Sequence, residues 1–248
     1  MKRSVIGWVI AGVLAVGGAA FAYLFWFAGG SGEPTTDLTT PELARTTTPT
    51  STGSTQDVPD TTINEGGGPV TFVIDQTQSE VRFEIDEVLN GSPTHVVGVT
   101  DQVVGQVRVD PADLSSAEFS DIVVNARTLT TGTDRRDRAI RGPIILDSGS
   151  DANELVTLSV ASIDGLDGAA STGDSVEFTL IGDLTIKGNT HPVTFDATVT
   201  VVNASTLTGT ATTEVTRDMF EIGIPSVPNV ADVTNEVLLG IDFVAVSG

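Results

Sequence analysis

The chain has 248 residues, with 33 acidic side chains against 12 basic ones and a formal net charge of -21. Such a surface repels polyanions, so the composition argues against nucleic-acid binding. There is no cysteine, which excludes disulfides, thiolate metal sites, a cysteine nucleophile and a lipid-modified cysteine anchor.

Val5 to Ala28 is an uncharged apolar run closing on the aromatics Phe21, Tyr23, Phe25, Trp26 and Phe27. At about 1.5 Å per residue it is long enough as a helix to cross a hydrocarbon core of about 30 Å. It also exceeds the usual apolar region of a cleaved secretory signal. Residues 1–28 are therefore expected to form a single-pass anchor, in contact with the membrane through residues 5–28. Lys2 and Arg3 before the run, and Glu33 and Asp37 after it, place the N-terminus in the cytoplasm and the remainder outside. The small residues Ala19-Ala20 and Ala28-Gly29-Gly30 would permit cleavage and hence a secreted form. Residues 29–69 are dominated by Thr, Pro, Ser and Gly, show no periodicity, and read as a disordered linker. As a flexible coil of about 40 residues it would span roughly 35 Å.

Residues 70–248 read as one all-β domain. Glu80 to Ile85 alternates with Val81, Phe83 and Ile85 on one face, and Val103 to Val109 alternates again. Val176 to Ile186 and Val193 to Val201 each keep a single apolar face, and Lys187-Gly188-Asn189 forms the turn between them. Leu207 to Val215 and Val237 to Ala245 complete the pattern. Period-two alternation on this scale indicates half-buried antiparallel strands, and without long helical stretches between them a parallel sheet is disfavoured. One short helix is predicted over Asp134 to Arg141, stopped by Gly142-Pro143. Leu207 to Val215 offers small inward residues at Gly209, Ala211 and Thr213, while Phe83, Phe178, Leu180, Phe195 and Phe243 are large. That contrast leans toward a hollow interior suited to a long apolar ligand.

Chemistry-bearing residues are few. His95 and His191 are the only histidines, and neither a nucleophile-elbow motif nor a phosphate-binding loop is present. No catalytic residue, metal site or cofactor is assigned, and the chain is not read as an enzyme. Arg135, Arg136, Arg138 and Arg141 cluster against the acidic background. They admit two readings: an anion cradle, or a solvated helical turn stitched by Asp134–Arg138 and Asp137–Arg141 pairs. Lys187 and His191 likewise read either as turn residues or as ligand contacts.

The hairpin Gly182-Asp183-Leu184-Thr185-Ile186-Lys187-Gly188-Asn189-Thr190-His191-Pro192-Val193 resembles the signature strand-turn-strand of the YceI-like family. Three stretches agree with it in order: Ile74-Asp75 with Ser79 to Phe83; Leu129 to Gly142; and Arg217-Asp218-Met219-Phe220-Glu221-Ile222-Gly223. The resemblance implies a lipocalin-like antiparallel barrel of about eight strands, holding a long isoprenoid-type lipid (polyprenyl or quinone-like) without catalysis. On that reading the apolar wall comprises Phe83, Ile85, Phe178, Leu180, Leu184, Phe195, Val199 and Phe243. Head-group contacts would come from Arg135, Arg138, Arg141, His191 and Arg217. Homodimer formation is left open. The chain departs from the family pattern at Glu87 to Thr100, which reads as longer and more loop-like, and at Glu221, which interrupts a Phe-Gly step. The rival reading is a ligand-free adhesive or scaffold β-module displayed on a membrane-anchored stalk.

Overall fold

Apolar alternation becomes strand pairing along the whole domain, and every pairing is antiparallel. The computed structural model describes residues 32–43 and 68–248. The anchor expected over residues 1–28 lies outside the described residues, and among those described no helix is long and apolar enough to cross a membrane.

The strands are β1 (Val70–Ile74), β2 (Glu80–Leu89), β3 (Ser92–Thr100), β4 (Val103–Val104), β5 (Gln106–Asp110), β6 (Asp113–Phe119), β7 (Ile122–Asn125), β8 (Leu155–Asp164), β9 (Ser175–Ile186), β10 (Asn189–Asn203), β11 (Thr206–Thr216), β12 (Val230–Ala231) and β13 (Glu236–Ser247). They form one strongly curled sheet whose pairing path runs β4-β7-β8-β9-β10-β11-β13-β1-β5-β6, with β2, β3 and β12 joined beside β13. The path begins at β4 and reaches its neighbour in sequence, β5, near its other end, so the sheet bends back toward itself. The helix α1 (Asp134–Arg141) has the bounds expected from the sequence.

The hairpin from Gly182 to Phe195 pairs Ile186 with Asn189 across a two-residue turn, Lys187-Gly188. Both turn residues have positive φ, 52° and 76°, the conformation whose twist matches that of the flanking strands. Glu87 to Thr100 differs from its loop-like sequence reading. β2 continues to Leu89, Asn90-Gly91 turns with φ of 52° and 78°, and β3 returns with Leu89 opposite Ser92. Asn and Gly are the residues that tolerate this turn most cheaply, so the segment is a hairpin.

β13 carries three neighbours. It pairs with β11 along nearly its whole length, with β2 through Leu238–Asp242, and with β1 through Ala245–Ser247. Between β1 and β2 the chain makes one short 3-10 turn, Gln76–Gln78, capped by Asp75, which accepts from the Thr77 N–H at 2.9 Å.

The buried side chains divide by position. Phe72, Leu207 and Ala245, with Phe243, Val199 and Val201 against them, fill one end. A larger cluster around Phe178, Leu180, Leu184, Phe195 and Phe220 occupies the middle. Phe119 tilts against Phe178 with ring centroids 6.3 Å apart. Phe243 lies over Gly209, where a Cβ would come within 2.7 Å of the ring. The space beside the small inward residue Gly209 is thus filled by its partner on the adjacent strand β13 rather than left empty.

Part of the stretch read as linker lies against the domain. The Thr35 N–H donates to Glu154 Oε1 at 2.6 Å, and Gln106 Nε2 donates to the Pro41 carbonyl at 2.6 Å.

Candidate functional site

The inner face of β2 carries Val81, Phe83, Ile85, Glu87 and Leu89, because successive side chains alternate across a strand. Together with Leu180, Leu184 and Ile186 of β9, Phe195 of β10, Ala211 and Val215 of β11, and Val237, Leu239 and Ile241 of β13, they enclose a cavity of about 480 Å³. That volume falls within the range of small-molecule sites, about 300–1,000 Å³. The lining is overwhelmingly aliphatic and aromatic.

The mouth is built from three pieces: Arg135, Arg136, Ala139 and Ile140 of α1; Leu89 and Asn90 at the β2–β3 tip; and the segment from Ile222 to Val233. That segment is tied down at several points. β12 within it pairs with β2, opposing Val230 to Leu89, and the Asn90 N–H donates to the Asn229 carbonyl at 2.8 Å. Arg217 clamps both of its ends, donating from Nε to the Thr234 carbonyl (2.7 Å), from Nη1 to Ile222 (3.1 Å) and from Nη2 to Val233 (3.2 Å).

One ion pair lines this apolar interior. Glu87 occupies the inward position after Ile85 and is buried, and Arg136 Nη2 donates to its Oε1 at 2.8 Å. Inside a low-dielectric pocket a carboxylate needs such a partner, since an unpaired buried charge costs several kcal/mol.

Of the apolar positions expected from the sequence, Phe83, Ile85, Leu180, Leu184 and Phe195 line the cavity, whereas Phe178, Val199 and Phe243 lie outside its lining, in the packed clusters. Of the polar positions, Arg135 and Arg217 reach the lining, and Arg138, Arg141 and His191 do not. Arg141 turns back to donate to the Leu129 carbonyl at 3.0 Å. His191 stands edge-on to Phe220, with ring centroids 5.4 Å apart at 89°, and meets the cavity only through that ring. The four arginines of α1 therefore do not converge into one cradle; Arg135 and Arg136 are the two at the mouth.

Sequence reasoning missed Glu87 and the Ile222–Val233 segment. The signal for Glu87 was present: of the two acids between Ile85 and Leu89, it is the one that falls on their face of the strand. The segment offered less, because its apolar residues follow no period.

The curled antiparallel sheet thus surrounds an apolar cavity whose lining includes the Glu87–Arg136 pair. The YceI-like domain matches residues 72–245, and the chain belongs to that family. The fold is also that of Burkholderia cenocepacia BcnA, at 21% identity and a TM-score of 0.53, covering 69% of this chain and 98% of that one. A polyisoprenoid binding domain from Saccharophagus degradans is similar at 12% identity and a TM-score of 0.56, covering 72% of this chain and 99% of that one. Among curated proteins none matches.

Proposed function

We propose that the domain is an eight-stranded, lipocalin-like barrel that binds the hydrocarbon chain of a long isoprenoid-type lipid, polyprenyl or quinone-like, outside the cytoplasm. Merging strand pieces that follow one another along the chain supports the barrel: β1 with β2, which both pair with β13, β3 with β4 and β5, and β6 with β7, alongside β8, β9, β10, β11 and β13. The observation that carries the function is the cavity of about 480 Å³, whose aliphatic lining is interrupted by the Glu87–Arg136 pair. Membership of the YceI-like family and the likeness to a polyisoprenoid binding domain support the ligand class.

Each methylene-sized group transferred from water to such a lining contributes about 0.8 kcal/mol before the cost of ordering the chain. Arg135 and Arg136 stand where a polar head would emerge. The protein would act by sequestration and carriage, without a catalytic step or cofactor. The anchor expected over residues 1–28 would hold it at the outer face of the cell membrane.

Native mass spectrometry of the protein purified from its host tests the proposal. A co-purifying lipid is expected, and it should be lost in Ala211→Phe, which fills the cavity. A protein that carries no lipid, and takes up no added polyprenyl lipid, would support the ligand-free module instead.

A further inference from the structure

Asn125, Arg127 and Glu154 are three polar side chains buried side by side at 0%, 3% and 6% exposure. None of them lines the cavity. Buried polar groups require partners, and these find several in residues 33–35. Arg127 Nη1 donates to the Glu33 carbonyl at 2.7 Å, and Asn125 Nδ2 donates to the Thr35 carbonyl at 3.1 Å. Glu154 accepts from the Thr35 N–H at 2.6 Å and from the Thr35 hydroxyl at 3.0 Å.

The cluster is also braced from behind. Glu154 Oε1 accepts from Asn125 at 2.9 Å, and its Oε2 lies 3.2 Å from Arg127 Nη1. Arg127 Nε donates to the Ser148 carbonyl at 2.7 Å. Gly32 lies flat against the guanidinium, where a Cβ would fall 2.6 Å from Cζ. Pro34, which has no N–H to satisfy, bridges the two bonded residues. Further along, Gln106 holds the Pro41 carbonyl.

We infer that Asn125, Arg127 and Glu154 form a peptide-binding site whose ligand is an extended Gly-x-Pro-Thr segment, supplied in this chain by residues 32–43. The site reads main-chain groups at Glu33 and Thr35, the Thr35 hydroxyl, and the absence of a side chain at Gly32. It therefore selects a sequence rather than any extended strand. Where the anchor over residues 1–28 holds, the clamp has a consequence for reach. Only residues 29–31 separate the membrane segment from Gly32, a span of at most about 14 Å, so the domain is tethered close to the bilayer and not on the end of a long stalk.

Hydrogen exchange on the full chain in detergent tests the site without depending on the anchor or on any lipid. The Thr35 amide should exchange at least about tenfold more slowly than in the free peptide Gly32–Leu43. Gly32→Val, whose added side chain would meet the Arg127 guanidinium, should return it toward the free rate while the β9–β10 amides keep their protection. Glu154→Leu should do the same by removing both oxygens that accept from Thr35. The free peptide, added at millimolar concentration to match a short intramolecular tether, should bind the Gly32→Val chain. Free-rate exchange at Thr35 in the unaltered chain, an unchanged rate in Gly32→Val, or no uptake of the peptide would each overturn the inference.

Discussion

Asp137 stands four residues before Arg141, a spacing that on sequence alone reads as an exposed helical pair. The side chain instead faces back into the preceding loop, buried, accepting from the Thr130 hydroxyl (2.8 Å), the Thr131 N–H (2.8 Å) and the Thr131 hydroxyl (2.6 Å). Burial pushes its pKa up, but the hydrogen bonds from Thr131 and Thr130 and the charge of Arg141 outweigh that and hold the carboxyl below its ordinary value of 3.8. A folded value below the unfolded one means that the contribution to stability is present above pH 3.8 and is lost as pH falls through the lower folded value. Asp137→Ala should cost about 1–3 kcal/mol in urea unfolding, because it leaves three donors in the loop unpaired. His95 has the opposite sign. Hydrogen bonds to Asp86 (2.7 Å) and Glu84 (3.1 Å) raise its pKa above 6.5. The stabilisation is complete below pH 6.5 and fades as pH rises through the folded value. An NMR titration should place the His95 midpoint above 6.5, and His95→Gln should remove that part of the pH dependence. The bounds of α1 were legible because caps and stop signals are local. The direction of Asp137 was not, because its partners belong to a loop whose fold against the helix no spacing encodes. Asn125, Arg127 and Glu154 were invisible for a stronger reason: nothing in their types or positions marks them as buried until the sheet brings them together.

Among the elements, the β9–β10 hairpin is where local rules and tertiary packing agree best. Its alternation and the place of its turn follow from the residues, although Asn189, read as part of the turn, is already the first residue of β10. Gly182 shows what the pattern left out: a Cβ there would lie 2.5 Å from the Ser159 carbonyl oxygen, beside the bulge in β8 between Val160 and Ser162. Gly182→Ala should therefore destabilise the domain by about 1–3 kcal/mol, because a backbone oxygen rather than a flexible side chain must give way. Thermal unfolding measures it. Glu221 is the converse case. It ends the 3-10 turn Arg217–Phe220 at φ 53° and ψ 36°, in the left-handed region, where a side chain is strained. Glu221→Gly should raise stability by up to about 1 kcal/mol in the same measurement. β2 was the element read too short. Its last inward positions are Glu87 and Leu89, and an acid on the inner face interrupts the apolar count that strand recognition depends on.

At the scale of the molecule, the small-against-large pattern of inward residues was legible, but its meaning was not. Gly98 and Gly209 are covered by the rings of Phe83 and Phe243, whereas Ala211 borders open space. Inward small residues thus mark two different situations, and only the placement of the opposing aromatic separates them. The two ends should respond differently. Phe243→Ala should cost about 3 kcal/mol of stability through the void it leaves while lipid uptake persists; Ala211→Phe should abolish uptake with the fold retained. Calorimetry and native mass spectrometry on both variants give the comparison. β13 bears on a separate matter, the order of assembly. Its bond partners include Ser79, whose hydroxyl donates to the carbonyl of Val244, 165 residues away. Before β13 arrives, β11 has one unpaired flank and both β1 and β2 lack the neighbour that aligns them. A chain emerging N-terminus first therefore carries open, aggregation-prone edges for most of its synthesis and closes them in one late event. Among the described strands, the most C-terminal is the one that completes the sheet.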